Sequence, residues 1–237
     1  MEFKDKNSKT RTNRVTVEEI NKYDTRKKVL KIIATAAVVL LAIIYLFAAL
    51  YKERGSFTVS VNKHEMVTYG LSLCETRDLS KPTSVLNMGI DQSITNIAEE
   101  DLPENVDMID GAHNGKNHLA YTFYLFNASD AVSVSYEWHV AMSNIYNGID
   151  EAIRIKIYID GEPTTYAKTA SDGSGPEPKT KEFYSTEIIA MGRKDDFSAG
   201  SVTKFTIVVW LEGTDPDCLD WIKGGKMRLE YIASIVH

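Results

Sequence analysis

The sequence contains few of the residues from which metal centres and disulfide frameworks are built. It has two cysteines and five histidines, and no C-x-x-C pair or similar zinc-type spacing occurs. His64-Glu65 begins like the zinc-protease motif H-E-x-x-H, but Thr68 stands where the second histidine is needed. No Walker motif, dinucleotide glycine motif or G-x-S-x-G elbow is present. The sequence therefore shows no signature of catalysis, and we expect neither catalytic nor cofactor-binding residues.

Basic residues are scarce in most of the chain. Residues 1–55 hold 12 of the 27 Lys and Arg but only 6 of the 33 Asp and Glu, whereas the remaining residues hold 15 basic and 27 acidic side chains. Phosphate binding needs a basic surface, so the acidic part excludes a nucleic-acid partner. The basic residues at the N-terminal side predict a cytoplasmic N-terminus and an extracellular C-terminal part, in a single-pass protein of the cell membrane.

Long hydrophobic runs are absent except for residues 32–51, IIATAAVVLLAIIYLFAALY. A helix of this length reaches about 30 Å, which matches the hydrocarbon core of a bilayer. A cleaved signal is an alternative, but a cut after Ala49 would place Phe47 where a small residue is required. A buried core helix is a second alternative. We predict a cytoplasmic basic tail (1–28), a transmembrane signal-anchor helix (29–51), a short linker (52–56) and an extracellular domain (57–237).

Residues 57–237 show the two-residue period of β-strands. Apolar side chains alternate at Phe57, Val59 and Val61, and again along 119–126, 132–140, 153–159, 205–211 and 227–235. A further strand is predicted at 67–73, and residues 75–117 are irregular. We predict an all-β extracellular domain, an antiparallel β-sandwich with a jelly-roll-like layout of about 8–9 strands.

Three kinds of candidate site remain. The first is a metal site formed by Asp110, His113 and His118, whose side chains can all bind metal ions. A polar turn before the strand at 119 is the alternative explanation of these residues. Two acidic loops could bind Ca²⁺ through carboxylate oxygens, but such residues are also ordinary on an acidic domain; they are Asp107, Asp110 and Asn114, and Asp215, Asp217 and Asp220.

The cysteines and one tryptophan complete the candidates. Cys74 and Cys218 are predicted to lie outside the cell, where they form either a disulfide or two separate buried thiols. Trp210 lies on the strand face opposite Ile207 and Val209. It is therefore either a surface-binding aromatic residue or covered by a second layer.

Four segments resemble a group of membrane-anchored surface proteins of Gram-positive Firmicutes, chiefly clostridia. They are DGAHNGKNHLAYTFYLFN (110–127), DEAIRIKIYIDGEPTTYAK (150–168), DGSGPEP (172–178) and TIVVWLEGTDPDC (206–218). More distantly, the layout resembles the TasA and camelysin group, in which an apolar segment precedes one jelly-roll domain. The TasA resemblance implies biofilm fibres, and the camelysin resemblance implies a metalloprotease.

We therefore expect a surface-anchored structural or adhesive module of the cell envelope or biofilm matrix. Its expected partners are the lipid bilayer, through residues 32–51, and envelope or matrix proteins, including further copies of itself. A camelysin-like surface hydrolase and a ligand-binding accessory or sensor subunit are the alternatives.

Overall fold

The computed structural model describes residues 17–52, 55–90 and 93–236, with the side chains of residues 26–47 in the first of these ranges. The chain divides into two compact units, Met1–Glu53 and Arg54–His237. Residues 1–16 of the predicted tail and residues 53 and 54 of the predicted linker lie outside the described residues.

The first unit contains one long helix, α1 (Val17–Lys52), of 36 residues. Within it, Arg26–Phe47 form a stretch of 22 residues, and the most apolar window of 18 residues in this stretch has a mean hydropathy of 2.6 and is fully exposed. At about 1.5 Å per residue this stretch is long enough to cross a bilayer. The predicted apolar helix is confirmed. The helix also includes residues 17–28 of the predicted tail, so it extends beyond the predicted membrane segment at its N-terminal side.

The second unit is built from two β-sheets. The first sheet has the strand order β10-β6-β12-β1-β3, and the second has the order β2-β5-β11-β7-β8-β9, with β4 beside β5. The bounds are β1 Ser56–Val61, β2 Leu71–Cys74, β3 Val85–Gly89, β4 Gly111–Ala112, β5 His118–Asn127, β6 Val134–Tyr146, β7 Ile153–Ile159, β8 Glu162–Ala167, β9 Lys181–Glu182, β10 Ile188–Phe197, β11 Val202–Leu211 and β12 Lys226–Ile235.

The pairing is antiparallel except between β1 and β12 and between β8 and β9. The predicted all-β sandwich is confirmed, with twelve strands in the described chain. The number exceeds the expected eight or nine because β2, β3, β4 and β9 have only two to five residues each. Strands that short carry too little alternation to be recognised from sequence.

The core lies between the sheets and is rich in aromatic rings. Phe123 stacks on Phe205 at 5.4 Å between ring centroids, and Tyr231 packs edge-on against Phe123 at 4.8 Å. Trp138 lies parallel to Tyr231, with 6.0 Å between the ring centroids. Each of these residues comes from the inward-facing positions of a different long strand, as the two-residue period requires.

The outer face of the second sheet is also covered, so Trp210 is not the surface-binding residue that was one of its two alternatives. Trp210 is 0 % exposed and packs with Val106, Ala120 and Val208 in a second, smaller core. The cover comes from the segment before β5, since Ile97 and Leu102 complete this cluster. A sheet with both faces covered buries the positions that alternation assigns to solvent.

The structure also corrects one predicted strand and bears on the two alternatives for the cysteines. Residues 67–73 are not one strand: a short helix, α2 (Lys63–Tyr69), ends at Gly70, which has a φ of 83°, and β2 follows. Cys74 and Cys218 are free thiols, so the candidate disulfide is not formed. Cys74 pairs with Tyr124, which pairs with Lys204 near the start of β11, whereas Cys218 follows the end of β11. The register therefore places the two cysteines near opposite ends of the second sheet.

Candidate functional site

An acidic cleft with a volume of about 470 Å³ opens where three segments meet near the start of β7. The segments are the helical turn at 99–101, the loop between β8 and β10, and the turn that follows β11. Seven acidic residues and two basic residues line it; the acidic ones are Glu99, Glu100, Asp172, Glu177, Glu212, Asp215 and Asp217, and the basic ones are Arg154 and Lys179.

Arg154 forms the floor of the acidic cleft. It lies on β7 in a strand of isoleucines, at a position whose side chain points out of the main core. Its Nη2 atom lies 2.7 Å from Asp215 Oδ2 and 3.4 Å from Glu177 Oε2. All three residues are more than nine-tenths buried. A buried guanidinium needs such partners, because removing it from water without them costs several kcal/mol.

The turn after β11 holds two of these carboxylates in place. Glu212 accepts hydrogen bonds from the indole Nε1 of Trp210 at 3.0 Å and from the Thr214 hydroxyl at 2.7 Å. Asp215 Oδ1 accepts from the Asp217 backbone N–H at 2.8 Å, which is the hydrogen bond of an Asx turn. The buried Trp210 thus fixes the turn that presents Asp215 to Arg154.

The loop from 168 to 180 supplies the opposite wall of the cleft. The Ser171 hydroxyl and backbone N–H donate to the two carboxylate oxygens of Asp217, at 2.5 and 3.1 Å. Lys168 contacts Asp150 and Glu151 at 2.6 and 2.5 Å and fixes the start of the loop. These contacts bring Glu177, Asp215 and Asp217 together, each with a carboxylate oxygen within 4.8 Å of the others.

The surplus of negative charge in the cleft shows in the pKa values. Burial raises the pKa of Glu177, and the neighbouring Asp215 carboxylate raises it further, although Arg154 acts in the opposite direction. Burial also acts to raise the pKa of Glu212, but the hydrogen bonds from Trp210 and Thr214 outweigh it and the pKa is lowered. The cleft thus disfavours the charged form of Glu177 and favours the charged form of Glu212.

This geometry suits binding of positive charge better than nucleophilic chemistry. Carboxylate oxygens converging from two loops can contact a cation or an ammonium group. Cys218 lies near this site, but burial raises the pKa of its thiol, and Asp215 and Glu212 raise it further. The thiol is therefore protonated at neutral pH, and the thiolate is the nucleophilic form of cysteine.

The candidates Asp110, His113 and His118 do not form a comparable cluster. Both carboxylate oxygens of Asp110 accept hydrogen bonds, from the Tyr124 hydroxyl and from the Arg77 backbone N–H. The two ring nitrogens of His113 lie 2.8 and 2.7 Å from backbone carbonyls of Gly111 and Val106. His118 is buried, and burial lowers its pKa. In these contacts Asp110 and His113 fix the segment that covers the second sheet.

The two acidic loops behave differently. In the first, Asp107 pairs with Lys204, and Asn114 accepts the Ala120 backbone N–H. In the second, Asp215 and Asp217 do enter the acidic cleft, while the exposed Asp220 pairs with Lys223 at 2.7 Å.

Sequence reasoning missed Arg154 and Glu177. The available signal was an arginine within a strand of isoleucines, at a position that alternation assigns to solvent. Glu177 lies in a polar loop, and nothing in the sequence distinguishes it from its neighbours.

Comparison of the chain with family models and with curated proteins finds no match. The resemblance to surface proteins of the TasA and camelysin group therefore stays a prediction.

Proposed function

We propose that this chain is a single-pass protein anchored at the cell surface, where its β-sandwich acts as a structural or adhesive module of the envelope or biofilm matrix. The observation that carries the proposal is one chain with an exposed apolar helix of membrane-spanning length followed by a twelve-strand sandwich among its described residues. The excess of basic residues before the helix supports an extracellular sandwich. The resemblance to matrix proteins supports the structural role.

Protease treatment of intact cells tests the location. The sandwich is expected to be digested without lysis, whereas residues before the helix are protected. A sandwich that stays intact until the cells are lysed would contradict the proposal.

The role is tested separately, by comparing surface attachment and matrix formation in cells with the chain, without it, and with the helix joined to an unrelated domain. We expect loss of attachment or matrix in both altered strains. Unchanged behaviour in both would remove the structural and adhesive role.

The acidic cleft favours a second candidate function, binding of a ligand that carries positive charge. Glu177, Asp215 and Asp217 converge there around the single buried cation Arg154. Calorimetric titration of the full chain with CaCl₂, and separately with a lysine-rich peptide, tests this function. Binding that is weakened by Asp217→Asn but not by Asp220→Asn is expected, since only Asp217 lies in the cleft. No binding of either probe would exclude this role.

A further inference from the structure

The exposed aromatic side chains of the sandwich are concentrated at one end. We define the proximal end as the end at which β1 starts and the distal end as the opposite one. Because β12 is parallel to β1 and β6 is antiparallel to β12, the proximal end also contains the start of β12 and the end of β6. Tyr146 is the last residue of β6 and is 49 % exposed, and Trp221 lies in the turn before β12 and is 52 % exposed.

Other large exposed side chains extend this pattern. Leu219 is 53 % exposed in the same turn as Trp221, and Tyr184 is 67 % exposed just before β10. The other large exposed apolar side chains of the described sandwich are not aromatic; they are Val67, Val85, Met108, Ile109, Val132, Met191 and Val202. All three exposed aromatic side chains of the described sandwich thus lie in the connections at the proximal end.

Contacts within the turn that carries Trp221 fix the position of its exposed indole. The six-membered ring of the indole packs so closely against Gly148 that any side chain there would overlap it. Asn147 donates to the Lys223 carbonyl at 3.0 Å and ties the turn to the end of β6. The neighbouring charges, Asp220 and Lys223, pair with each other at 2.7 Å. The exposed indole is therefore held in place by the turn and by its contact with the end of β6.

The sequence limits how far this end can lie from the apolar helix. Helix α1 ends at Lys52 and β1 begins at Ser56. An extended chain covers at most about 3.5 Å per residue, so the two Cα atoms are at most about 14 Å apart, however the two units are arranged. The proximal end is thus confined close to whatever surface the apolar helix enters.

We infer that Leu219, Trp221 and Tyr146 form a lipid-contacting patch through which the proximal end of the sandwich rests in the interfacial region of the bilayer. The inference depends on the proposed membrane anchoring. Tryptophan and tyrosine favour this region because they combine an apolar ring with a polar group that stays hydrated. The patch acts through apolar and aromatic contact, since the excess of charge on the sandwich is acidic and does not attract anionic lipid.

Tryptophan fluorescence of the full chain in lipid vesicles tests the patch. The chain has three tryptophans, none of them in the apolar helix, and Trp138 and Trp210 are buried, so Trp221 is the one that lipid can reach. In phosphatidylcholine vesicles whose acyl chains carry bromine near the headgroup, we expect quenching of the emission. Most of this quenching is expected to disappear in Trp221→Phe and to weaken in Leu219→Ser. The matched variant Val67→Ser, at the distal end, is expected to leave it unchanged.

The outcomes separate the patch from the anchor. If the chain does not float with the vesicles in a density gradient, the proposed anchoring fails. If it floats but aqueous iodide, and not bromolipid, quenches Trp221, anchoring stands and the patch is overturned. If quenching by bromolipid requires anionic lipid, basic side chains attract the surface, and the inferred apolar contact is likewise overturned.

Discussion

Arg154 is the residue on which the acidic cleft depends. Its guanidinium is the only buried positive charge among the residues that line the cleft, and it contacts Asp215 at 2.7 Å and Glu177 at 3.4 Å. Neutralising it leaves two buried carboxylates without a cation, while the isoleucines beside it in β7 stay packed. Arg154 is therefore both a residue of strand β7 and the cation that neutralises the buried carboxylates of the cleft.

Arg154→Met is expected to lower the free energy of unfolding by roughly 3–5 kcal/mol, because breaking a buried ion pair leaves the remaining charge uncompensated. Urea denaturation followed by circular dichroism measures the change. Arg193→Met is the control, since Arg193 pairs with Asp195 and Glu137 on the surface with its side chain 49 % exposed, and its loss should cost far less. Equal losses in the two variants would contradict the assignment.

Glu177 gives the sandwich a pH dependence of unusual sign for a carboxyl group. Its pKa is raised in the folded state, chiefly by burial and then by Asp215, so the folded chain binds more protons than the unfolded chain above about pH 4. The stabilising effect of protonated Glu177 is therefore lost as pH rises through its folded-state pKa. Glu177→Gln should gain stability relative to the wild type as pH increases, measured by urea denaturation from pH 4 to 7.

Glu212→Gln serves as the control for this prediction because its shift is opposite. Burial acts to raise the pKa of Glu212, but hydrogen bonds from Trp210 and Thr214 lower it overall. Its contribution to stability is present at neutral pH and is lost as pH falls through the folded-state pKa. The two glutamine variants should therefore diverge from the wild type in opposite directions as pH rises. Parallel behaviour would contradict the electrostatic account of the cleft.

Tyr231 differs from the buried carboxylates of the cleft, because its polar group is buried without a hydrogen bond. The side chain is fully buried between Phe123, Phe205 and Trp138, and its hydroxyl has no hydrogen-bond partner among the described residues. Tyr231→Phe removes the desolvated hydroxyl and keeps the ring, so it should be neutral or stabilising by up to about 1–3 kcal/mol.

The matched variant Tyr136→Phe removes a hydroxyl that donates to Thr203 at 3.2 Å. Loss of this hydrogen bond should destabilise the chain by about 1 kcal/mol. Thermal unfolding of both variants gives the comparison. A Tyr231→Phe variant that is less stable than Tyr136→Phe would mean that the Tyr231 hydroxyl has a partner.

At the scale of elements, the hairpin between β7 and β8 shows what short sequence patterns can determine. Its two turn residues, Asp160 and Gly161, have φ values of 53° and 92°, as a type I′ turn requires. The Asp160 carboxylate also accepts the Lys204 backbone N–H at 2.9 Å, which joins the turn to β11.

Gly161→Ala should destabilise the sandwich by about 1 kcal/mol or more, because a Cβ atom disfavours positive φ. No neighbouring atom lies within 4 Å of the added Cβ, so the expected cost comes from the backbone alone. Gly161→Asn is the control, since asparagine tolerates this region, and it should stay close to the wild type in chemical denaturation. A tolerated alanine would show that the turn can change type.

The long strands were predictable because each is covered on one face by the main core, and β7 was predicted with its full range at 153–159.

The features that the sequence did not predict depend on contacts between residues far apart in the chain. The segment before β5 buries Trp210 against the outer face of the second sheet, and the alternation of β11 alone contains no sign of that cover. Residues 63–69 contain β-branched and aromatic side chains but form a helix, which Asn62 caps by accepting the His64 N–H. The acidic cleft joins Arg154 to residues 23 and 61 positions further along the chain, and no local pattern reports such a meeting.

The whole molecule combines a basic N-terminal part, an apolar helix and an acidic sandwich. The division of charge follows the division into units, since the excess of Lys and Arg precedes residue 55. This arrangement is typical of a protein that enters a membrane once with its N-terminus inside. The decisive question at this scale is whether the apolar segment stays in the mature protein, because a cleaved segment would release the sandwich.

We expect the segment to be retained. Signal peptidase needs a small residue three positions before the cut, and a cut after Ala49 would place Phe47 there. In the membrane fraction, residues 1–49 should therefore still be joined to the sandwich, as measured by intact-protein mass spectrometry. Phe47→Ala creates the A-x-A sequence that the wild type lacks, so this variant should yield a shortened, released sandwich. A wild-type chain that already begins at Leu50 would contradict retention, and the lipid-contacting patch would then lose the tether that confines it near the bilayer.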